Sequence, residues 1–208
     1  DIEVAAAINA KHLVTHFGVT TIENYNDSNI FNSLLKLQRD TYVELGGYAR
    51  KHDVILVVEN LFNFFNKNIY VPLPSFVAEQ INIVNHENVK CTLDFSHGYI
   101  NCNYYKANFF EEISKMSRLS KHLHVHDSFG KLKNIYTYNA SEEISYGLGD
   151  LHLPIGWGDI PFNNLFDKLE FPRGLVLILE IQERFLEHIP QTIKEARKLF
   201  NRARISKN

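Results

Sequence analysis

Three short and mainly apolar stretches of this chain are each followed directly by an acidic residue. The run at 54–58 precedes Glu59, the stretch 89–93 precedes Asp94, and the run at 175–179 precedes Glu180. Nearly continuous apolar runs are typical of strands that are buried on both faces, as in parallel sheets. We therefore predict buried strands whose carboxyl ends carry carboxylates.

A further segment alternates histidine with aliphatic residues and reads Lys-His-Leu-His-Val-His-Asp. On a strand, His122, His124 and His126 would share one face, and Leu123 and Val125 the other. Neutral imidazole is the commonest protein ligand for metals. The alternation predicts either a metal site at the carboxyl end of a strand or a polar strand with hydrogen-bonded histidines.

Amphipathic stretches separate these runs. We predict helices over 2–9, 30–51, 75–86, 107–118, 162–170 and 190–204, strands over 11–18, 54–60, 89–94, 121–127 and 174–180, and loops over 19–29, 61–74, 99–106 and 128–150. Residues 150–156 are a candidate for a short sixth strand. The alternation of strand and helix predicts an α/β fold with a parallel sheet. Such folds place their sites at the carboxyl ends of the strands.

Composition favours a globular protein over nucleic-acid-binding, membrane-spanning and disulfide-rich classes. The 208 residues are 45% hydrophobic and carry a net charge of −2, a balance typical of globular proteins. The charge gives no broad electrostatic footprint for nucleic acid, and no apolar run approaches the ~20 residues of a membrane span. Cys91 and Cys102 are too few for a disulfide framework, which favours a cytoplasmic setting. Without an internal linker, we predict one domain over 1–208.

The strand ends together suggest a metal site. Buried carboxylates are unfavourable unless they are paired or metal-bound, so one divalent cation would satisfy several of them at once. The candidate ligands for that cation are Glu59, Asp94, His124 and Glu180. Mixed carboxylate and imidazole ligands suit Zn²⁺ or Mn²⁺ better than Ca²⁺. Taken singly, each residue could equally be a helix cap, an ion-pair partner or a packing histidine.

Five segments carry a resemblance to a known superfamily. They read Val-Val-Glu-Asn at 57–60, Leu-Asp-Phe-Ser-His-Gly at 93–98, His-Val-His-Asp at 124–127, Asp-Leu-His-Leu-Pro-Ile-Gly-Trp-Gly-Asp-Ile at 150–160 and Leu-Ile-Leu-Glu-Ile at 177–181. In this order they resemble the xylose-isomerase-like TIM-barrel superfamily of sugar isomerases, epimerases and endonuclease IV-type apurinic endonucleases. The resemblance implies a TIM (β/α)8-type barrel whose first two βα units are absent here, so we expect a further N-terminal segment.

The resemblance also implies residue roles. Glu59, Asp94, His124 and Glu180 match the ligands of the metal shared across the superfamily. His97 matches a residue that contacts substrate in the epimerases and a second metal in the endonucleases. Asp150, His152 and His16 match further endonuclease ligands. The pair Asp150 and His152 favours a multi-metal site, with Zn²⁺ first and Mn²⁺ second.

The function that this resemblance implies is metal-dependent isomerisation or epimerisation of a sugar or sugar phosphate. Glu59 and Glu180 would exchange a proton at a carbon next to a metal-chelated carbonyl, and His97 would orient a hydroxyl. The predicted substrate-binding residues are His126, Asp127 and Trp157, with support of the metal ligands as the alternative role for His126 together with Asp127. The partner would be a small molecule, no membrane is involved, and a homo-oligomer is compatible with this function.

The alternative is an endonuclease IV-like, zinc-dependent phosphodiesterase acting on abasic DNA. Asp150, His152 and His16 favour it, and nucleic acid would then be the partner. The mild acidity opposes it, because phosphate binding uses Lys and Arg, and His-Val-His-Asp replaces the His-Leu-Asn-Asp of the endonucleases. A third interpretation is a degenerate barrel that serves as a binding module.

Overall fold

Strands and helices alternate through the computed structural model, which describes residues 1–63, 68–131 and 149–206. The helices are α1 Ile2–Ala7, α2 Ile22–Asn26, α3 Ser28–Lys51, α4 Pro74–Val84, α5 Phe95–Tyr105, α6 Phe109–Ser117, α7 Phe162–Lys168 and α8 Ile189–Arg202, with a 3-10 helix at Glu183–His188. The strands are β1 His12–His16, β2 Thr20–Thr21, β3 Ile55–Glu59, β4 Ile69–Tyr70, β5 Val89–Asp94, β6 Ser120–Val125, β7 Glu170–Phe171, β8 Val176–Leu179 and β9 Arg204–Ile205. The α/β prediction is confirmed.

Five of these strands form one parallel sheet in the order β1-β3-β5-β6-β8. Its register sets His16 beside Glu59 and Asp94 beside His124. Because the strands are parallel, their carboxyl ends meet at one edge of the sheet. The polar residues that end the strands are therefore brought together by the register alone.

The two faces of β6 follow the predicted alternation. Leu123 and Val125 are fully buried in the apolar core, where helices cover the sheet. His122 and His124 lie on the other face, with their rings 5.1 Å apart. His122 is buried below the strand ends, and its Nδ1 lies 3.4 Å from the Thr92 hydroxyl. Burial lowers the pKa of His122 to about 4, so this imidazole is neutral at pH 7.

The prediction of a loop at 99–106 is wrong, because α5 covers most of these residues. Asp94 caps this helix, since its Oδ1 accepts a hydrogen bond of 2.7 Å from the backbone N–H of His97. Asparagine and tyrosine are weak helix formers, but Ile100 and Cys102 are fully buried on the inner side of α5. Tertiary packing overrides the local preference here.

Two other predicted segments differ from the structure. The predicted loop at 19–29 contains β2 and α2, and β2 pairs antiparallel with β4. The candidate strand at 150–156 reduces to an isolated antiparallel bridge between Asp127 and Leu153. Within the predicted loops at 61–74 and 128–150, residues 64–67 and 132–148 lie outside the described residues. No described helix has both the length and the hydropathy that crossing a membrane requires.

Candidate metal centre

Four side chains converge at the carboxyl edge of the sheet. Glu59 ends β3, Asp94 ends β5, His124 lies near the end of β6, and Glu180 follows β8. One ligand atom from each lies within 4.8 Å of the others, and three of the four residues are buried. We call these four residues the first ligand group. It contains the residues that the sequence assigns to a shared metal.

His124 lies at the middle of the first ligand group. Its Nδ1 lies 3.1 Å from Glu59 Oε1, 3.4 Å from Glu180 Oε1 and 3.7 Å from Asp94 Oδ2. Burial alone would raise the pKa of Glu59, yet hydrogen bonds with His124 and His97 hold this pKa at about 2. Burial would lower the pKa of His124, but the same hydrogen bond raises it. Three carboxylates at a buried site favour a bound cation.

A second ligand group lies beside the first and consists of His126, Asp150 and His152. His152 Nε2 lies 2.8 Å from Asp150 Oδ2, and His126 Nδ1 lies 3.6 Å from Asp150 Oδ1. The two imidazole rings stack at 4.1 Å with an interplanar angle of 2°. Burial would lower the pKa of His152, but its hydrogen bond with Asp150 raises it to about 9.

Two features of the second ligand group fit a cation. His152 Nδ1 lies 2.8 Å from the Glu180 carbonyl oxygen, an acceptor, so this nitrogen carries a proton and Nε2 is the nitrogen that faces Asp150. Metal-binding histidines commonly have this arrangement. His126 is fully buried, and its Nδ1 has no hydrogen-bond partner among the described residues. Buried polar atoms are rarely left without one, and a shared cation would satisfy it.

His97 connects the two groups. Its Nδ1 lies 3.2 Å from Glu59 Oε1, and its Nε2 lies 3.2 Å from Asp150 Oδ2. Burial would lower its pKa, but the charge of Asp94 and the hydrogen bonds with Asp150 and Glu59 raise it well above the usual value. The two groups are therefore neighbours that both contact His97.

The remaining predicted site residues occupy different places. His16 lies at the rim, 68% exposed, with its Nε2 3.6 Å from Glu59 Oε2. Trp157 is 48% exposed and contacts the rings of Phe185 and His188 at 5.5 and 4.6 Å. Its contact with substrate stays a prediction. His126, predicted to bind substrate, is fully buried within the second ligand group.

Asp127 was predicted to bind substrate, and this contact stays a prediction. It is fully buried, and its carboxylate accepts hydrogen bonds from the backbone N–H groups of Ser128, Gly156 and Ile160. Both carboxylate oxygens therefore accept hydrogen bonds from backbone N–H groups. The hydrogen bonds from Gly156 and Ile160 join residues about thirty positions apart, so the local sequence pattern does not contain them.

Asn60 is a site residue that the sequence patterns did not single out. Its side chain makes two hydrogen bonds of 2.9 Å, donating to the Asp94 carbonyl and accepting from the Asp94 N–H. Its own carbonyl lies 3.0 Å from His97 Nδ1. Its sequence signals were its place directly after Glu59 and its inclusion in the Val-Val-Glu-Asn segment. Asn60 thereby fixes the end of β5 against the end of β3.

Replacing Asn60 with alanine is expected to destabilise the protein. Two buried backbone groups of Asp94 would lose their partners, at roughly 1–3 kcal/mol for each group left unpaired. Urea unfolding followed by circular dichroism would measure the loss. Asn82→Ala, at an exposed position of α4, is the control. Equal stability of the two variants would contradict the structural role of Asn60.

A parallel α/β sheet with its polar site at the carboxyl edge is found in TIM barrels and in open doubly wound folds. Residues 1–203 match the model of the xylose isomerase-like TIM barrel family, so this chain belongs to that family. The resemblance seen in the sequence is confirmed. No curated protein matches the sequence.

Several solved structures share the fold. A D-tagatose 3-epimerase-like protein superposes with a TM-score of 0.68 at 20% identity, covering 96% of this chain and 66% of that one. The IolI protein with a bound zinc atom gives 0.63 at 17%, covering 96% and 64%. The 3-keto-D-glucoside 4-epimerase YcjR from E. coli gives 0.60 at 16%, covering 95% and 67%. This chain thus spans about two thirds of the length of these proteins, and the likeness establishes the fold.

Proposed function

We propose that this chain acts in the divalent-metal-dependent isomerisation or epimerisation of a sugar or sugar phosphate. The observation that carries the proposal is the convergence of Glu59, Asp94, His124 and Glu180 within 4.8 Å. Two of the structurally similar proteins are described as a D-tagatose 3-epimerase-like protein and a 3-keto-D-glucoside 4-epimerase. Their fold and this ligand set support the same class of chemistry.

The first ligand group suits a divalent cation. It offers three carboxylates and one imidazole, a mixture that suits Zn²⁺ first and Mn²⁺ second. The zinc atom bound to the IolI protein supports the same choice. When bound, such an ion supplies Lewis-acid stabilisation of negative charge on substrate oxygens. Proton transfer and orientation of the substrate would be carried out by the protein side chains.

The two glutamates differ in accessibility, and this difference supports different roles for them. The side chain of Glu180 is 31% exposed, whereas that of Glu59 is 4% exposed. Glu180 can therefore reach a substrate carbon and take or return a proton there. Glu59 is held by His97 and His124, so it acts mainly as a ligand, with proton exchange secondary. His97, between the two groups, is placed to orient a substrate hydroxyl.

Two measurements test the proposed function. Elemental analysis of the purified, unsupplemented protein is expected to find zinc or manganese. Incubation with ketoses and their phosphates in D₂O is expected to incorporate deuterium at the carbon next to the carbonyl, seen by NMR. Protein that holds no transition metal and exchanges no substrate proton would contradict the proposal.

The second ligand group favours the alternative function, a zinc-dependent phosphodiesterase acting on abasic DNA. Hydrolysis of phosphodiesters commonly uses two or more metal ions that hold the attacking and leaving oxygens. His126, Asp150 and His152 would hold the additional ion. The net charge of −2 opposes DNA binding. Cleavage of an abasic duplex, with no proton exchange on sugars, would establish the alternative instead.

A further inference from the structure

The carboxylate of Asp127 is the centre of a network of backbone hydrogen bonds. Its Oδ1 accepts from Ser128 at 2.9 Å and from Ile160 at 3.2 Å, and its Oδ2 accepts from Gly156 at 2.9 Å. The Asp127 backbone also pairs with Leu153, through hydrogen bonds of 2.8 and 3.0 Å. One buried residue thus holds the chain from 153 to 160 by both its main chain and its side chain.

The loop fits closely around this carboxylate. At Gly158, an added Cβ would collide with the Ser128 carbonyl oxygen and lie 2.5 Å from Asp127 Oδ1. The backbone N–H of Asp159 donates to the same Ser128 carbonyl at 2.9 Å. Glycine is required at 158 because no side chain fits between the loop and Asp127. The loop is therefore closely packed against Asp127.

This network lies directly beside the second ligand group. His126 precedes Asp127, and His152 precedes Leu153, so the two imidazoles flank the bridge that joins these residues. Their stacking at 4.1 Å follows from that bridge. His152 has a left-handed backbone with φ of 48°. A histidine in this conformation persists only where the surrounding structure imposes it.

We propose that Asp127 is a positioning residue that fixes the backbone carrying His152 and Asp150, and so sets the affinity of the second ligand group for its cation. This inference rests on the proposed binding of a cation by His126, Asp150 and His152. Asp127 would not be a ligand of the cation itself. It acts through the Leu153 bridge and the loop that follows.

Asp127→Asn tests the inference with little change in volume. Asparagine presents one acceptor and one N–H₂ group, and the latter would face the Gly156 N–H. Loss of partners that orient a ligand typically weakens metal binding by about 10–100-fold. We expect a Co²⁺ or Zn²⁺ titration to show that the second cation binds at least about tenfold more weakly in the variant. Binding of the first cation should be unchanged, and Co²⁺ absorption would distinguish the two sites.

Three further variants make the result specific. His152→Ala marks the signal of a protein without the second site, and Asp127→Asn should resemble it. Asp159→Asn makes the same chemical change on an exposed side chain of the same loop and should bind both cations normally. Leu199→Ala, in the core at α8, provides a control for lower stability.

The outcomes separate this inference from the proposed function. Wild-type affinity for both cations in Asp127→Asn would overturn the positioning role alone. Equal weakening of both cations in Asp127→Asn would also overturn it, since the effect would then be general. Wild-type protein that binds only one cation would overturn the second site itself, and this inference with it.

Discussion

Replacing Glu180 with glutamine is expected to lower kcat by about 10²–10⁴-fold, the usual contribution of a general base. Among the carboxylates of the first ligand group, Glu180 is the one with substantial exposure, 31% for its side chain. Glutamine keeps the shape and can still offer an oxygen to a cation, but it cannot take a proton. Steady-state kinetics at saturating metal would measure the effect on the identified sugar substrate.

Fold and metal content serve as the controls for this variant. Glu180 is partly exposed, so the free energy of unfolding should change by less than about 1 kcal/mol. Glu183→Gln, three residues on and exposed, should retain the wild-type rate. Full activity in metal-loaded Glu180→Gln would remove Glu180 from proton transfer.

Added Zn²⁺ or Mn²⁺ is expected to stabilise the wild-type protein, and Asp94→Asn to remove most of this effect. A ligand that binds only the folded state at a hundred times its Kd contributes about 2.7 kcal/mol. For a chain of this size that corresponds to a rise in Tm of roughly 5–10 °C. Differential scanning calorimetry with and without metal, and after chelation, would measure it.

Asp94 is well suited to this test, because its carboxylate is fully buried next to histidines of both ligand groups. Its Oδ2 lies 3.1 Å from His126 Nε2 and 3.7 Å from His124 Nδ1. Asparagine retains the oxygen that caps α5, so the helix should survive while the charge is lost. Asp40→Asn, at an exposed position on α3, should keep the full metal-dependent shift. No shift in the wild-type protein would contradict the metal site.

Local sequence patterns predicted four strands of the sheet and the position of the site at their carboxyl ends. Apolar runs that end in Glu59, Asp94 and Glu180 predicted three strands and the edge at which their carboxylates meet. The alternation around His124 predicted the fourth strand and its two faces. Parallel register then brings these ends together without further information, which is why the first ligand group could be assembled from the sequence.

The rest depends on contacts between distant residues. Substrate contact by His126 and Asp127 stays a prediction. The sequence did not predict that His126 lies beside Asp150, or that the carboxylate of Asp127 accepts a hydrogen bond from Gly156. The role of Asn60 was missed because its partners are backbone groups of Asp94, which every residue type except proline would offer equally. α5 was missed because burial stabilises a sequence that has little helix propensity.

The left-handed backbone at His152 has a consequence for protein engineering. Such a conformation costs an ordinary L-residue roughly 1–2 kcal/mol, whereas glycine adopts it freely. The chain nevertheless has histidine there, with φ of 48°. Glycine would remove this strain, but it would also lose the hydrogen bonds of the imidazole with the Glu180 carbonyl and with Asp150. A directed-evolution experiment that rewards heat resistance therefore sets the backbone strain at residue 152 against these two hydrogen bonds.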